Sequence, residues 1–285
     1  MPLSANPLRT VLYIPASKPR ALDKARTLDV DAIIFDLEDA VAPDEKEAAR
    51  ATLADALASG GYGGRLKIIR INGLDTKWGL EDARAARTMQ ADAILLPKVG
   101  GAEDLDKLAE VTEETPLWAM METPLGIMNA AGIAAHPLCD GMVMGTNDLA
   151  KEMGTRFRAD RLPLQAGLGQ CVLAAKAHGT AIIDGVYNAF KDDAGLAAEC
   201  EQGRDMGFDG KTLIHPAQIE IANAAFAPTD TEIDLAERQI AAYTAAISEG
   251  QAVAVVDGRI VENLHVASAR ETLAKRDAIA ALKTE

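Results

Sequence analysis

Two apolar runs in the middle of the chain each end in a carboxylate. WAMM leads into Glu122, and GMVMG leads through Thr146 into Asn147 and Asp148. Chemistry in a (β/α)8 barrel takes place at the C-terminal ends of the strands, so a strand that delivers an acid there is typical of one. Mg²⁺ takes few protein carboxylates and keeps several waters, which suits two such acids. Two solvated loop acids are the simpler alternative, and only the recurrence of polar strand ends along the chain argues against them.

Other predicted strands also end in charged residues. The acids and bases collected in this way are Asp36, Glu38, Asp39, Arg70, Glu122, Asp148 and Asp184, with Lys18, Arg20 and Lys98 beside them. So many acids at one barrel mouth would repel each other strongly, and a bound divalent cation would relieve this repulsion. We therefore predict that a metal ion binds there, with Glu122 and Asp148 as its direct ligands because each follows its strand closely.

The acids of the DLED segment, Asp36, Glu38 and Asp39, are predicted to hold metal-bound waters and to orient basic groups. Arg70 lies among these acids, and two roles are equally open for it. It balances their charge, or it is a forked donor to a substrate carboxylate or thioester oxygen.

Eight apolar, β-rich runs alternate with Ala- and Glu-rich helical stretches. This pattern favours βα units around a parallel sheet, and eight such units predict a (β/α)8 TIM barrel, an α/β fold. We assign residues 1–226 to the barrel and residues 227–285 to a C-terminal helix–hairpin–helix segment. Asp257-Gly258 is a strong signal for the turn of that hairpin. The segment is either structural padding or a lid over the open face of a barrel, its own or that of a neighbouring subunit.

Composition limits the classes of partner. The formal net charge of −14 over 285 residues argues against a surface that binds nucleic acid or an anionic membrane. No run approaches 18 apolar residues, so no membrane span is predicted, and no signal peptide is evident. The three cysteines are widely spaced and fit a reduced, cytoplasmic compartment. An anionic ligand would therefore have to meet a local basic patch. Lys18 and Arg20 in the first loop would supply one. His215-Pro216 follows the eighth run, and its His has either a structural hydrogen-bonding role or a functional one.

The chain resembles the citrate lyase β-subunit-like (HpcH/HpaI aldolase/citrate lyase) family of CoA-thioester enzymes, which includes malyl-CoA lyases. The likeness covers nearly the whole chain, and it is carried by LRTVLYIPASKPR, DAIIFDLEDAV, IIRING, AILLPKV, METPLGI, GTNDLAKEMG, GFDGKTLIHPAQI and the hairpin near the end. Within the family, the short length and the GVYNAF and DGRIVEN stretches are most similar to bacterial enzymes that hydrolyse (3S)-malyl-CoA.

This resemblance implies a barrel that assembles as trimers or hexamers, with Mg²⁺ (or Mn²⁺) on Glu122 and Asp148 and with Arg70 at the thioester end of the substrate. It also implies that the CoA part of the substrate lies across the first loop and the region after the eighth strand. The residues expected to contact CoA are Tyr13, Pro15, Lys18, Arg20, His215 and Pro216. The C-terminal segment would cover a neighbour's site and offer it a carboxylate as acid or base.

Two positions depart from the family pattern. Ala16 stands where relatives often have Gly, and Glu262 stands where the lyases usually have an Asp in the lid. Asp257 competes with Glu262 for that role, but a turn at Asp257-Gly258 already explains it. A Glu carboxylate extends about one methylene further than that of Asp, and a ~1 Å misplacement can change a rate ~10²-fold. This difference changes which proton or water the carboxylate meets, and it favours hydrolysis over C–C cleavage.

We therefore expect Mg²⁺-dependent hydrolysis of (3S)-malyl-CoA to malate and CoA. One alternative is cleavage of the C–C bond of malyl-CoA or β-methylmalyl-CoA to glyoxylate and acetyl- or propionyl-CoA. A second alternative is a metal-dependent aldolase that acts on pyruvate-type substrates without CoA. A third is a noncatalytic CoA-binding subunit, which the convergence of acids disfavours.

Overall fold

The computed structural model describes residues 6–282, and eight of its strands form a closed parallel barrel. Each strand pairs with the next one in sequence, and the eighth pairs with the first. The strands are Thr10–Pro15 (β1), Ala32–Asp36 (β2), Leu66–Arg70 (β3), Ala93–Leu96 (β4), Leu117–Met121 (β5), Cys139–Met144 (β6), Ala181–Asp184 (β7) and Gly210–Leu213 (β8). The predicted (β/α)8 barrel is confirmed.

Helices follow the strands of the barrel. They are Pro19–Ala25 (α1), Lys46–Ala58 (α2), Gly79–Thr88 (α3), Ala102–Thr112 (α4), Pro124–Met128 (α5), Ala130–Ala134 (α6), Thr146–Glu152 (α7), Gln165–His178 (α8), Asp193–Met206 (α9) and Ile219–Phe226 (α10). Gly179 and Gly207 end α8 and α9 with φ of 73° and 99°. That backbone conformation is the usual helix C-cap, and it favours glycine.

Alternation of side chains along the strands decides which residues reach the barrel mouth. Ile34, Ile68 and Met120 belong to a buried cluster drawn almost entirely from the strands, which fills the barrel interior. Successive strand residues face opposite sides of a sheet. The residue two positions beyond each of these three therefore also faces inward, one layer nearer the C-terminal end. Those residues are Asp36, Arg70 and Glu122.

The remaining residues form a second compact unit, which begins at Ala227. It contains the helix Asp230–Ser248 (α11), a hairpin of Ala254–Val256 (β9) and Arg259–Val261 (β10), and the helix Asn263–Leu282 (α12). Asp257 and Gly258 turn the hairpin with φ of 49° and 74°, the positive values of a type I′ turn. The predicted Asp-Gly turn is thus confirmed.

The three cysteines, Cys139, Cys171 and Cys200, are buried free thiols. Burial raises the pKa of the Cys139 and Cys171 thiols to about 12, which keeps them protonated and unreactive. No helix within residues 6–282 is both long and apolar enough to cross a membrane.

Candidate active site

A cavity of about 310 Å³ lies at the C-terminal mouth of the barrel. Six of the residues predicted from the sequence line it, namely Tyr13, Asp36, Asp39, Arg70, Glu122 and Asp148. Thr146 and Asn147, at the start of α7, also line it. Groups that are far apart in sequence therefore meet at the strand ends, and we name this space the central cavity.

The guanidinium of Arg70 is held by acids that precede it in the sequence. Its Nε and Nη2 donate to the two carboxylate oxygens of Asp36 at 2.8 and 2.6 Å, and its Nη1 lies 3.0 Å from Glu38 Oε2. The Asp39 carboxylate is 3.6 Å from Nη1 and is largely exposed. The Tyr13 ring packs against the guanidinium at 4.9 Å. Arg70 does balance charge, as one of its two predicted roles required, and it also lines the central cavity.

The three DLED acids are not equivalent. Asp36 is buried, and its carboxylate accepts hydrogen bonds from Arg70 and from the backbone amides of Glu38 and Ala40. Asp36 therefore orients the guanidinium. Glu38 links Arg70 to the next strand, and Asp39 lies at the rim.

Lys98 connects the Arg70 cluster to Glu122. Its Nζ donates to Glu38 Oε1 at 2.8 Å, while its backbone amide donates to Glu122 Oε1, also at 2.8 Å. This backbone has a φ of 53°, a left-handed conformation that costs a non-glycine residue roughly 1–2 kcal/mol. The strained position aims the amide at Glu122 and the side chain at Glu38. The sequence indicated Lys98 as a strand-end base but gave no sign of this amide contact.

Replacing Lys98 with Ala or with Gly is expected to lower turnover roughly tenfold, the lower end of the loss when a partner behind a functional group is removed. Both variants lose the Glu38 contact and keep the backbone amide. Gly also removes the conformational strain, so Lys98→Gly should unfold at a higher temperature than Lys98→Ala. The turnover rates of the two variants should be equally low. Steady-state rates and thermal unfolding of the pair test this, and wild-type turnover in either variant would contradict it.

Glu122 is a buried carboxyl whose pKa is strongly shifted. Burial raises its pKa from 4.5 to about 7, against the opposing effects of the Lys98 amide and charge and of Arg70. A Cβ at Gly145 would lie 2.3 Å from Glu122 Cβ and 2.5 Å from Oε2, so only glycine leaves room for this carboxylate. Within residues 6–282, Oε2 has no hydrogen-bond donor. A cation would stabilise the ionised form.

Asp148 lies in the first turn of α7, half-buried, and lines the same cavity as Glu122. No group of three or more His, Cys, Asp or Glu side chains is arranged to hold a metal in the described part of the chain. Of the four carboxylates that line the cavity, Asp36 and Asp39 pair with Arg70, which leaves Glu122 and Asp148. This set fits Mg²⁺, which keeps waters and substrate oxygens in its other positions, better than a metal that needs a full protein cage.

The residues predicted to contact CoA lie at several places. Tyr13 is inside the mouth, where its hydroxyl donates to Met120 Sδ at 3.4 Å, and burial raises its pKa, so the phenol stays protonated. Pro15 ends β1 opposite Asp36. Lys18 is exposed and 3.8 Å from the Glu45 carboxylate.

Arg20 is exposed in the first turn of α1, and like Lys18 it does not line the central cavity. His215 and Pro216 are exposed at the start of a short 3-10 helix after β8. The His215 Nδ1 accepts from the Ala217 amide, and its ring stacks on Phe190 at 4.6 Å. A capping role thus explains His215 structurally and leaves one ring face and Nε2 for a ligand.

Asp184 was expected at the mouth, and this expectation is wrong. Ala181 and Ile183 face the barrel interior, so Asp184 faces outward, fully buried. Its carboxylate accepts from Arg161 Nη1 at 2.7 and 2.8 Å and from Lys211 Nζ at 3.1 Å. It therefore belongs to a buried ion-pair network behind β7 and β8.

Comparison with known proteins shows the family of this chain. Residues 9–216 match the model of the HpcH/HpaI aldolase/citrate lyase family. The chain belongs to this family. It is 65% identical over 279 residues to a (3S)-malyl-CoA thioesterase of Cereibacter sphaeroides, and the match covers 98% of both chains. It is 33% identical to the citrate lyase subunit beta of Escherichia coli K12, over 94% of this chain and 93% of the subunit.

Solved structures of the family extend the comparison. The protein CitE of Mycobacterium tuberculosis, crystallised in complex with magnesium, acetoacetate and coenzyme A, superposes with a TM-score of 0.80 at 30% identity. The superposition covers 96% of this chain and all of that one. The family and the barrel predicted from the sequence are thus both confirmed.

Proposed function

We propose that this family member is a Mg²⁺-dependent thioesterase that hydrolyses (3S)-malyl-CoA to malate and CoA. The observation that carries this proposal is the 65% identity, over 98% of both chains, to a (3S)-malyl-CoA thioesterase. The central cavity supports it, because it offers two carboxylates for a metal and an Arg for the acyl group. A related structure in complex with magnesium, acetoacetate and coenzyme A supports Mg²⁺ as the metal and a CoA thioester as the substrate.

Glu122 and Asp148 would hold the metal through oxygens that face the cavity. When bound, Mg²⁺ would polarise the carboxylate and hydroxyl oxygens of the malyl group and fix its position. Arg70, held rigid by Asp36 and by the Tyr13 ring, would donate to the thioester oxygen as negative charge develops on it. A fixed donor in a buried site is usually the largest contribution to acyl-transfer catalysis.

CoA would extend from the thioester across Pro15 and the first loop towards His215 and Pro216. Lys18 and Arg20 would supply positive charge for its phosphates in a chain with a net charge of −14. The exposed ring pair of Phe190 and His215 offers an aromatic surface on the same route. Buried free thiols are typical of a reducing compartment, which supports a cytoplasmic location.

Glu262 would activate the attacking water. Its side chain is exposed at the start of α12, without a partner within residues 6–282, while its backbone amide is held by His265 Nδ1. Asp257, the competing acid, instead accepts two hydrogen bonds from Arg238 Nη1, both at 2.8 Å. We propose that Glu262 serves a neighbouring subunit in a trimer or hexamer, takes the proton of water, and so allows the C–S bond to break with CoA as leaving group.

Glu262→Gln is expected to reduce turnover by about 10²-fold or more, the usual contribution of a general base, while leaving CoA binding unchanged. Asp257→Asn is the matched control, since it alters an exposed lid acid that already has a partner. Initial rates and calorimetric CoA binding distinguish the two. Equal rates in the two variants would remove Glu262 from the mechanism.

The raised pKa of Glu122 gives a pH prediction. Between its unfolded pKa of 4.5 and its folded value of about 7, the folded metal-free chain binds more protons than the unfolded chain. The free energy of unfolding of the metal-free chain should therefore fall as pH rises from about 5 to 8, by at most about 3 kcal/mol. Mg²⁺ competes with this proton, so the increase in Tm on adding Mg²⁺ should grow through pH 7. Glu122→Gln should abolish that growth, and a pH-independent Mg²⁺ effect in the wild type would contradict the assignment.

Product analysis tests the reaction itself. The purified protein is incubated with (3S)-malyl-CoA and Mg²⁺, and free CoA and glyoxylate are followed separately. Free CoA without glyoxylate is the expected result. Glyoxylate with acetyl-CoA would instead identify a lyase, the activity suggested by the name of the citrate lyase relatives, and turnover of pyruvate-type substrates without CoA would identify an aldolase.

A further inference from the structure

A second cavity, of about 470 Å³, lies beside the central cavity. The two share walls at Thr146, Asn147 and Val186. The remaining wall comes mainly from the loop between α7 and α8 and from the segment after β7, including Phe157, Leu164 and Tyr187. No step of the proposed reaction uses this space, which we name the loop cavity.

Three arginines of the sequence RFRADR line the loop cavity, in a chain that is acidic as a whole. Arg158 is paired with Asp160, with Nε and Nη2 at 2.8 and 2.5 Å from its carboxylate oxygens. Arg156 is exposed and has no ion-pair or hydrogen-bond partner within residues 6–282. Its charge is therefore available to a ligand.

Arg161 is buried, with 5% of its side chain exposed, and its guanidinium is held by hydrogen bonds to Asp184 and Gln202. Nη1 donates to both oxygens of Asp184, and Nε donates to Gln202 Oε1 at 2.7 Å. Nη2 is buried and has no acceptor in the described part of the chain. Buried donors are almost always paired, and an unpaired one indicates a bound water or ligand. The network fixes a cationic group in the cavity wall and leaves one of its donors unused.

We propose that the loop cavity is a second ligand site, which binds a small molecule through an oxyanion. Arg156 attracts the anion, and Arg161 Nη2 donates to it directly or through one bound water. Phe157 and Leu164 provide apolar contact for an organic body. Carboxylate and phosphate present the same oxyanion chemistry to a guanidinium, so free organic acids, phosphate and the phosphates of CoA are the sources to be separated. The proposal does not rest on the thioesterase assignment.

Calorimetric titration of the full chain with succinate, with inorganic phosphate and with CoA, all in EDTA, tests the site. Arg156→Gln is compared with Arg84→Gln, which removes an exposed arginine of α3 that pairs with Glu81. We expect at least one probe to bind, and Arg156→Gln to weaken its binding roughly tenfold while Arg84→Gln leaves it unchanged. The probe affected identifies the source of the oxyanion.

Glu122→Gln separates this site from the central cavity, because binding that belongs to the loop cavity should survive it. Absence of binding by all three probes would overturn the proposal. So would equal affinities in Arg156→Gln and Arg84→Gln, or loss of all binding in Glu122→Gln. None of these results depends on whether the protein hydrolyses malyl-CoA.

Discussion

Glu122→Gln is expected to reduce the Mg²⁺-dependent turnover of (3S)-malyl-CoA to background. The change keeps the size of the side chain and a carbonyl oxygen that accepts from the Lys98 amide, and it removes the charge that would hold the metal. Loss of a partner behind a metal ligand already costs roughly 10–100-fold in affinity or activity, and loss of the ligand itself should cost more. Initial rates across a Mg²⁺ titration measure the effect.

Glu113→Gln is the control for this variant, since Glu113 forms an exposed ion pair with Arg87 away from the cavity. Asp148→Asn should resemble Glu122→Gln, because both residues are assigned to one metal. Thermal unfolding without Mg²⁺ should show both variants folded. A wild-type rate in Glu122→Gln would remove the metal from this place.

Arg70→Gln is expected to lower kcat by about 10²–10³-fold, the effect of removing one oxyanion donor. It should also destabilise the fold by roughly 3–5 kcal/mol, because the buried Asp36 carboxylate loses its partner. These two effects correspond to the two roles that the sequence left open for Arg70, namely substrate donor and charge balance.

The double variant Arg70→Gln/Asp36→Asn separates the two roles. Removing both charges should restore much of the stability, since position 36 no longer carries an unpaired charge and Glu38 keeps its contact with Lys98. Activity should stay low, because the donor is still missing. Restoration of both stability and activity would mean that Arg70 only balances Asp36.

Strand ends predicted most of the central cavity because barrel geometry is regular. Once eight βα units are recognised, any polar residue that closely follows an apolar run belongs near one face. Glu122 and Arg70 were found in this way, from type and position alone. Asp36 follows the same rule, and its backbone contacts with Glu38 and Ala40 refine its role without moving it.

Asp184 shows the limit of that rule. Its run, AIID, is apolar at every preceding position, because both faces of a barrel strand are buried. Such a run does not reveal which alternate residues face inward, and a shift of one residue moves a side chain to the other face. The inward-facing Ala181 and Ile183, together with the contacts of Asp184 with Arg161 and Lys211, show that Asp184 faces the helices.

The hydrogen bond from the Lys98 amide to Glu122 could not be predicted from the sequence, for another reason. A positive φ at a lysine is disfavoured locally, so no propensity signals it, and the interaction runs through a backbone amide that every residue has. Gly145 is similar, since its need for space depends on where Glu122 lies. In the second unit, by contrast, the Asp257-Gly258 turn carried its own local signal.

Hydrolysis in ¹⁸O-labelled water is the most direct test of the proposed reaction. The wild-type chain is given (3S)-malyl-CoA with Mg²⁺ or with EDTA, and the malate formed is analysed by mass. Attack of water on the thioester carbon predicts one ¹⁸O atom per malate, one free CoA per malate, and neither product in EDTA. Glyoxylate and acetyl-CoA without labelled malate, or an equal rate in EDTA, would contradict the proposal.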